Sequence, residues 1–310
     1  MRAMPSVTLL GPQVREPNLS AVLRTLRLPG PFVSISAGWQ EREGEVDELR
    51  THIESEVQDL RIYQRTEELF ATDRDLRIAH RQRQIQLQEM QQLYALQLTH
   101  AKNAARELFA SRASEHLLRA ARRHAISALR RLDRAHLAAI TALHAEFERT
   151  TGLANRVTVR HIVAQLRPAI DAAAAVLIAG GHVAVLANRL RLLGGAALFR
   201  HKPVIAWSAG AMTLAESVVL FHDDPPQGAA NAEVFDAGLG LVRRVLPLPH
   251  AQQRLFLHDE TRLAIFARRF APHACVTLDA GSWMHFDQGQ LHSHGGSFQL
   301  SRRGVLTELA

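Results

Sequence analysis

The sequence predicts an α/β protein: a largely parallel, flavodoxin-like sheet flanked by helices and interrupted by a long helical insertion. Three observations carry this. Short apolar runs at 7–10, 32–35, 157–159, 176–179 and 204–207 are followed by glycine, serine or a polar residue, the pattern of strands buried on both faces. Stretches of helical character at 18–27, 161–174 and 183–193 lie between several of them, as parallel strands require. Between Gly44 and Gly152 there is neither glycine nor proline, although both recur on either side, which marks a helical block. The chain therefore divides into 1–44, a first part of the α/β core; 45–151, a helical insertion; and 152–310, a second part that completes the same sheet.

Inside the insertion, Leu118, Ala121, Ala125, Ala128, Leu132, Ala135 and Ala139 recur at steps of three and four and predict one buried helix face. Leu76, Ala79, Leu87, Met90 and Tyr94 form a second, less regular stripe, and breaks are expected near Thr72 and Ser111, so that long helices pack as hairpins. The early part carries Glu45, Glu54, Asp59 and Glu68, the later part Arg119, Arg122, Arg123, Arg130, Arg131 and Arg134. That asymmetry suits a solvated surface, contact between helices or copies of the chain, or an anionic partner.

Composition limits the function. With 310 residues, 47% of them hydrophobic, the chain can bury a sizeable core. A formal charge of +7 attracts polyanions weakly, but the arginines are scattered without interleaved aromatics, so nucleic-acid binding is not expected. The single cysteine, Cys275, excludes an intrachain disulfide and thiolate-rich metal centres and fits a reducing compartment. The apolar segment before Gly11 and Pro12 is too short for a signal peptide, and 172–187 is too short to span a membrane and is broken by Gly180, Gly181 and His182. The expectation is a cytoplasmic protein without a membrane partner.

Chemistry concentrates where strands end. Ser36-Ala37-Gly38, Gly180-Gly181-His182 and Ser208-Ala209-Gly210 each follow an apolar run, and in an open α/β sheet ligands collect beyond the carboxyl ends of strands. Ser208 follows "VIAW" and precedes small residues, which lets the chain turn sharply and lift a nucleophilic hydroxyl above the sheet; a plain helix cap is the alternative. Amides of Gly181 and Ala209 are placed to stabilise an oxyanion. Serine needs a base, and His250 after "VLPLP" is the first choice, with His222 and His258 as alternatives. Asp223 or Asp224, after "SVVLFH", is expected to orient the imidazole. Arg254 and Arg262 are candidate substrate contacts. No P-loop or dinucleotide fingerprint is present, and no metal or organic cofactor is required. His292 and His294 alternate in "QLHSHGG", but no residues nearby complete a zinc set, so no metal is assigned.

The segments "LIAGGHVAVLANRL" (177–190), "PVIAWSAGAM" (203–212) and "GLGLVRRVLPLPH" (238–250) together resemble the peptidase S51 family, which includes peptidase E and cyanophycinase, within the class I glutamine-amidotransferase-like fold. "ISAGWQEREGE" (35–45) is similar to type 1 glutamine amidotransferase-like proteins, and the insertion falls outside the resemblance. The resemblance implies a serine hydrolase with nucleophile Ser208 and base His250, and an aspartate shortly after the nucleophile, which favours the Asp223–Asp224 pair without choosing between them. Ser208 stands where amidotransferases use cysteine. Two departures stand out: the family's Gly-Gly-Asn is Gly180-Gly181-His182, so that His182 enters the set of substrate-pocket residues, and Ala206 replaces a common glycine. The expected activity is hydrolysis of a peptide or small amide. The alternatives are a noncatalytic binding or assembly protein that uses the insertion as an interface, and another ester or amide transfer reaction; the insertion also offers a surface for a homo-oligomer.

Overall fold

The structure is a computed structural model and describes residues 5–221 and 231–309. Its centre is a seven-stranded sheet in which five strands run parallel. In spatial order these are β1 (Val7–Leu10), β5 (Val204–Trp207), β4 (Ala175–Ile178), β2 (Phe32–Ile35) and β3 (Val57–Asp59). β1, β2, β4 and β5 are buried along their whole length, which explains why they read as unbroken apolar runs. β10 (Trp283–Asp287) adds antiparallel to β1, and β11 (Gln290–Gly295) closes that edge. A second sheet contains β8 (Val245–Pro249), β9 (Ala274–Leu278), β12 (Phe298–Leu300) and β13 (Leu306–Glu308), and β6 (Ser217–Leu220) pairs with β7 (Glu233–Ala237). The strands of 1–44 and 152–310 therefore do not all join one sheet: β8, which leads into His250, lies in the second sheet.

The helices are α1 (Leu19–Thr25), α2 (Asp47–Ile53), α3 (Ile62–Thr72), α4 (Arg74–Ala110), α5 (Glu115–Thr151), α6 (Val157–Ala172), α7 (Val183–Leu192), α8 (Ala209–Leu214), α9 (Ala251–Arg254) and α10 (Glu260–Phe270). The breaks at Thr72 and Ser111 fall where the sequence places them. Two other expectations are corrected. Residues 157–159 are the start of α6 and not a strand, because Val159, Ile162, Leu166 and Ile170 repeat at helical steps and bury one face. Residues 45–151 are not helical throughout, since Val57–Asp59 is the edge strand β3.

α4 and α5 contain 37 residues each and form an antiparallel hairpin about 55 Å long. Asp73 caps α4 by accepting from the Leu76 N–H at 3.1 Å, and it ties the hairpin base to α6 through Arg156 and the Thr158 hydroxyl at 2.7 Å. The buried face of α5 keeps Leu118 of the predicted stripe but is otherwise turned from it, with Ala121, Ala125, Ala128 and Leu132 half-buried. Ala135 and Ala139 are exposed, whereas Leu118, Ile126, Leu129, Asp133, His136, Ile140, His144 and Phe147 are buried. Polar members of that face find partners inside the protein, although His144 Nδ1 is buried without one. Asp133 takes two bonds of 2.7 Å from Arg269 and one of 2.8 Å from Tyr94, and His144 meets Asp236 at 2.7 Å. Among the described residues no helix is long and apolar enough to cross a membrane.

Candidate active site

β1, β5, β4 and β2 are consecutive in the sheet, so their carboxyl ends bring Gly11, Ser208, Gly180 and Ser36 to one edge. At Ser208 the backbone is bent into φ 51°, ψ −120°, between the end of β5 and the first residue of α8. A residue with a Cβ is rare in this region and is kept there only by its surroundings. Two backbone bonds pin it: the Ser208 N–H donates to Leu10 O at 3.3 Å and its carbonyl accepts from Met212 N–H at 3.2 Å. Gly210 lets α8 sit directly on β4, since a Cβ there would lie 2.4 Å from the Ile178 carbonyl oxygen.

The neighbouring turn is equally tight. Gly181 has φ +101°, a Cβ on it would stand 2.5 Å from Gly38 O, and the next amide, His182 N–H, donates to that same oxygen at 2.8 Å. The turns after β2 and β4 are thus locked together beside Ser208. Ser36 is committed to structure, donating to the Asp59 carboxylate at 2.7 Å.

His250 arrives from the second sheet. It follows β8 in a left-handed conformation, φ 58°, and its N–H donates to Leu278 O at the end of β9, 3.2 Å away. This places Nε2 3.4 Å from Ser208 Oγ. Burial, and after it the positive charge of Arg254, push the His250 pKa below its ordinary value, while a hydrogen bond with the Gln253 side chain opposes them. The imidazole is therefore neutral near pH 7 and able to take a proton. Cys275 offers no competing nucleophile, because burial pushes its thiol up to about 12.

A cavity of about 580 Å³ opens over this corner. Of the strand-end and site residues singled out in the sequence it is lined by Ser208, His250, Gly180, Gly181, Ala209 and Arg254. Arg254 is half-buried there, and burial lowers its pKa, a sign of an incompletely solvated cation. His182 does not line the cavity. It is exposed and acts as the N-cap of α7, its Nδ1 accepting from Val185 N–H at 3.4 Å. Arg262 is also elsewhere, on α10 with its guanidinium 5.4 Å from the Phe256 ring. His258 is exposed, and His222, Asp223 and Asp224 lie outside the described residues. His292 and His294 share one exposed face of β11, and among the described residues no cluster of metal-ligating side chains forms there or elsewhere.

Sequence reasoning missed one wall of the cavity, made by Gln13, Trp39, Glu48, Leu49 and His52. Gln13 shapes it by accepting from the Asn18 and Leu19 N–H groups at 3.0 and 2.9 Å. The available signal was Gly11-Pro12 after β1, a fourth strand end at the same edge.

The model of Peptidase family S51 matches residues 142–294, the span that holds Gly181, Ser208 and His250. Over that span, just under half of the chain, the sequence is similar to peptidase family S51. The crystal structure of a peptidase from an acI-B1 Actinobacterium is similar over 97% of this chain and 92% of that chain, with a TM-score of 0.46 and 11% identity. None of the curated proteins compared matches the chain. The wall formed by Gln13, Trp39, Glu48, Leu49 and His52 lies outside the family match, as does the whole of α4.

Proposed function

We propose that this protein is a serine-dependent hydrolase of a peptide or related amide and works through an acyl-enzyme. The observation that carries the reading is the strained Ser208 corner with its hydroxyl 3.4 Å from the His250 imidazole. That distance is slightly long for proton transfer, and substrate binding closes it. Ser208 Oγ attacks the scissile carbonyl carbon while its proton passes to Nε2 of His250. The oxyanion that forms faces the amides of Gly181 and Ala209, the latter in the first turn of α8 where N–H groups lack helical partners. The C–N bond breaks as Nε2 returns the proton to the departing amine. Water then repeats the sequence on the acyl ester, releasing the acid and restoring the hydroxyl. Asp223 or Asp224 supplies the carboxylate that orients His250.

Arg254, beside His250 and half-buried, is assigned to a carboxylate of the substrate, with Trp39, Leu49 and Trp207 giving the apolar contact. The test is turnover of amide substrates matched except for one carboxylate. Arg254→Gln should raise KM for the acidic member alone, and loss of kcat in Ser208→Ala should accompany it. Acid-independent turnover would remove the Arg254 assignment, and unchanged turnover in Ser208→Ala would remove the mechanism.

A second reading, a noncatalytic assembly protein, draws on Ile85 and Leu96, 48% and 61% exposed on α4. It predicts self-association lost on Leu96→Glu together with no turnover of any amide.

A further inference from the structure

Near the turn of the α4–α5 hairpin, remote in sequence from the S51 motifs, a cavity of about 410 Å³ is lined by Arg119, Arg122, Arg123, Arg130, Arg268 and Arg302. Against these six guanidinium groups its described lining offers one carboxylate, Glu115, which is exposed and 3.3 Å from Arg122. Several arginines elsewhere meet acids: Arg156 pairs with Asp73, Arg269 with Asp133, Arg149 with Glu146. Here the described partners are mainly carbonyls. Arg130 Nε donates to Arg268 O at 2.9 Å, Arg268 Nε donates to Arg302 O at 2.9 Å, and Arg122 Nε donates to Leu108 O at 3.1 Å. At Arg122, Arg130 and Arg268 these carbonyls fix the fork in place, and a carbonyl, unlike a carboxylate, does not cancel its charge. These three cations are held in position beside the exposed Arg119, Arg123 and Arg302. Burial, and then the charges of Arg302 and Arg134, lower the pKa of Arg130, which agrees with crowding of like charge.

We propose that this cavity is a binding site for a compact oligophosphate, a short chain of phosphoryl groups taken either free or as the tail of a nucleotide. Several fixed forks converging on one concave space match the many clustered oxygens of such a chain, each able to accept bidentately. An extended nucleic acid fits less well. The one aromatic ring in the lining, Phe109, is already approached by Arg122 at 5.4 Å and Arg268 at 5.8 Å, which leaves no stacking platform for bases. The site is independent of the hydrolase reading.

The experiment is calorimetric titration of the full chain with sodium tripolyphosphate, ATP, sodium sulfate and a single-stranded oligonucleotide. Tripolyphosphate should bind saturably, at one per chain, more tightly than sulfate and more weakly as salt rises. Arg119 and Arg123 are exposed, so Arg119→Glu/Arg123→Glu is expected to fold and to weaken binding about tenfold or more. Arg302→Ala, in an exposed turn, is the second variant and should weaken it in the same direction. Equal affinity for tripolyphosphate and ATP identifies the phosphate chain as what is read; tighter ATP binding that both variants lose identifies a nucleotide as the source. Tripolyphosphate binding no tighter than sulfate, binding unchanged in both variants, or binding of the oligonucleotide alone overturns the proposal.

Discussion

The Ser208 corner and the Arg269–Asp133–Tyr94 knot between α10, α5 and α4 are both polar and enclosed, yet they are built on opposite rules. In the knot every charge is matched: Arg269 and Asp133 are 5% and 7% exposed, and the guanidinium also donates to Ala232 O at 2.7 Å and Tyr94 Oη at 2.8 Å. At the corner the backbone is strained, the serine hydroxyl has only a long approach to an imidazole, and the nearby Arg254 is half-buried. Satisfaction fixes the packing of the hairpin on the core. Incomplete satisfaction leaves groups at the sheet edge free to act on a substrate.

The two regions should therefore separate under mutation. The largest expected effect is at the corner. His250→Ala should lower kcat/KM for an amide substrate by about 10²–10⁴-fold, with the melting temperature near that of the parent, as measured by steady-state kinetics and calorimetry. Asp133→Ala should do the reverse. It leaves Arg269 buried without its counter-ion and should cost about 3–5 kcal/mol of stability in denaturant titration, while kcat of the folded fraction is kept. If Asp133→Ala abolished turnover in fully folded protein, the division between the regions would fail. Gly210→Ala sharpens the boundary, because the new Cβ must push α8 away from the Ile178 carbonyl. It should cost about 1–3 kcal/mol and also lower kcat by displacing Ser208, read from both assays.

The smallest effect concerns pH. Activity needs neutral His250, so kcat/KM should rise with pH through the His250 pKa and level off above it, with the limb below the ordinary histidine range. Arg254 disfavours the imidazolium, so Arg254→Gln should move this limb to higher pH. A limb that stayed in place or moved to lower pH would show that the two groups do not interact.

Much of the corner was legible because backbone chemistry dictates it. An apolar run ending at Trp207, then serine, then Ala209-Gly210-Ala211, leaves few structures other than a buried strand turning at once into a helix. His250 was legible only as a histidine after an extended run. That β8 joins a second sheet, and so delivers the ring from outside the main one, is a matter of long-range pairing with β9 that no local pattern reports. The end of the hairpin could be read from Gly152, where the stretch without glycine and proline stops, but the face of α5 could not. Its buried residues include Asp133, His136 and His144, whose partners Arg269, Gln91 and Asp236 come from distant sequence, and apolar periodicity therefore chose the alanines one step round the helix. Arg254, at the end of α9, lines the pocket while Arg262, on α10, faces another side, a distinction that residue type alone does not make.

The most direct measurement is labelling of the purified chain with a fluorophosphonate, followed by peptide mass mapping. An activated serine must react, so the adduct is expected on Ser208, dependent on His250 and absent from Ser208→Ala. An unlabelled parent protein, or an adduct that persists elsewhere after Ser208→Ala, would contradict a nucleophile at the end of β5.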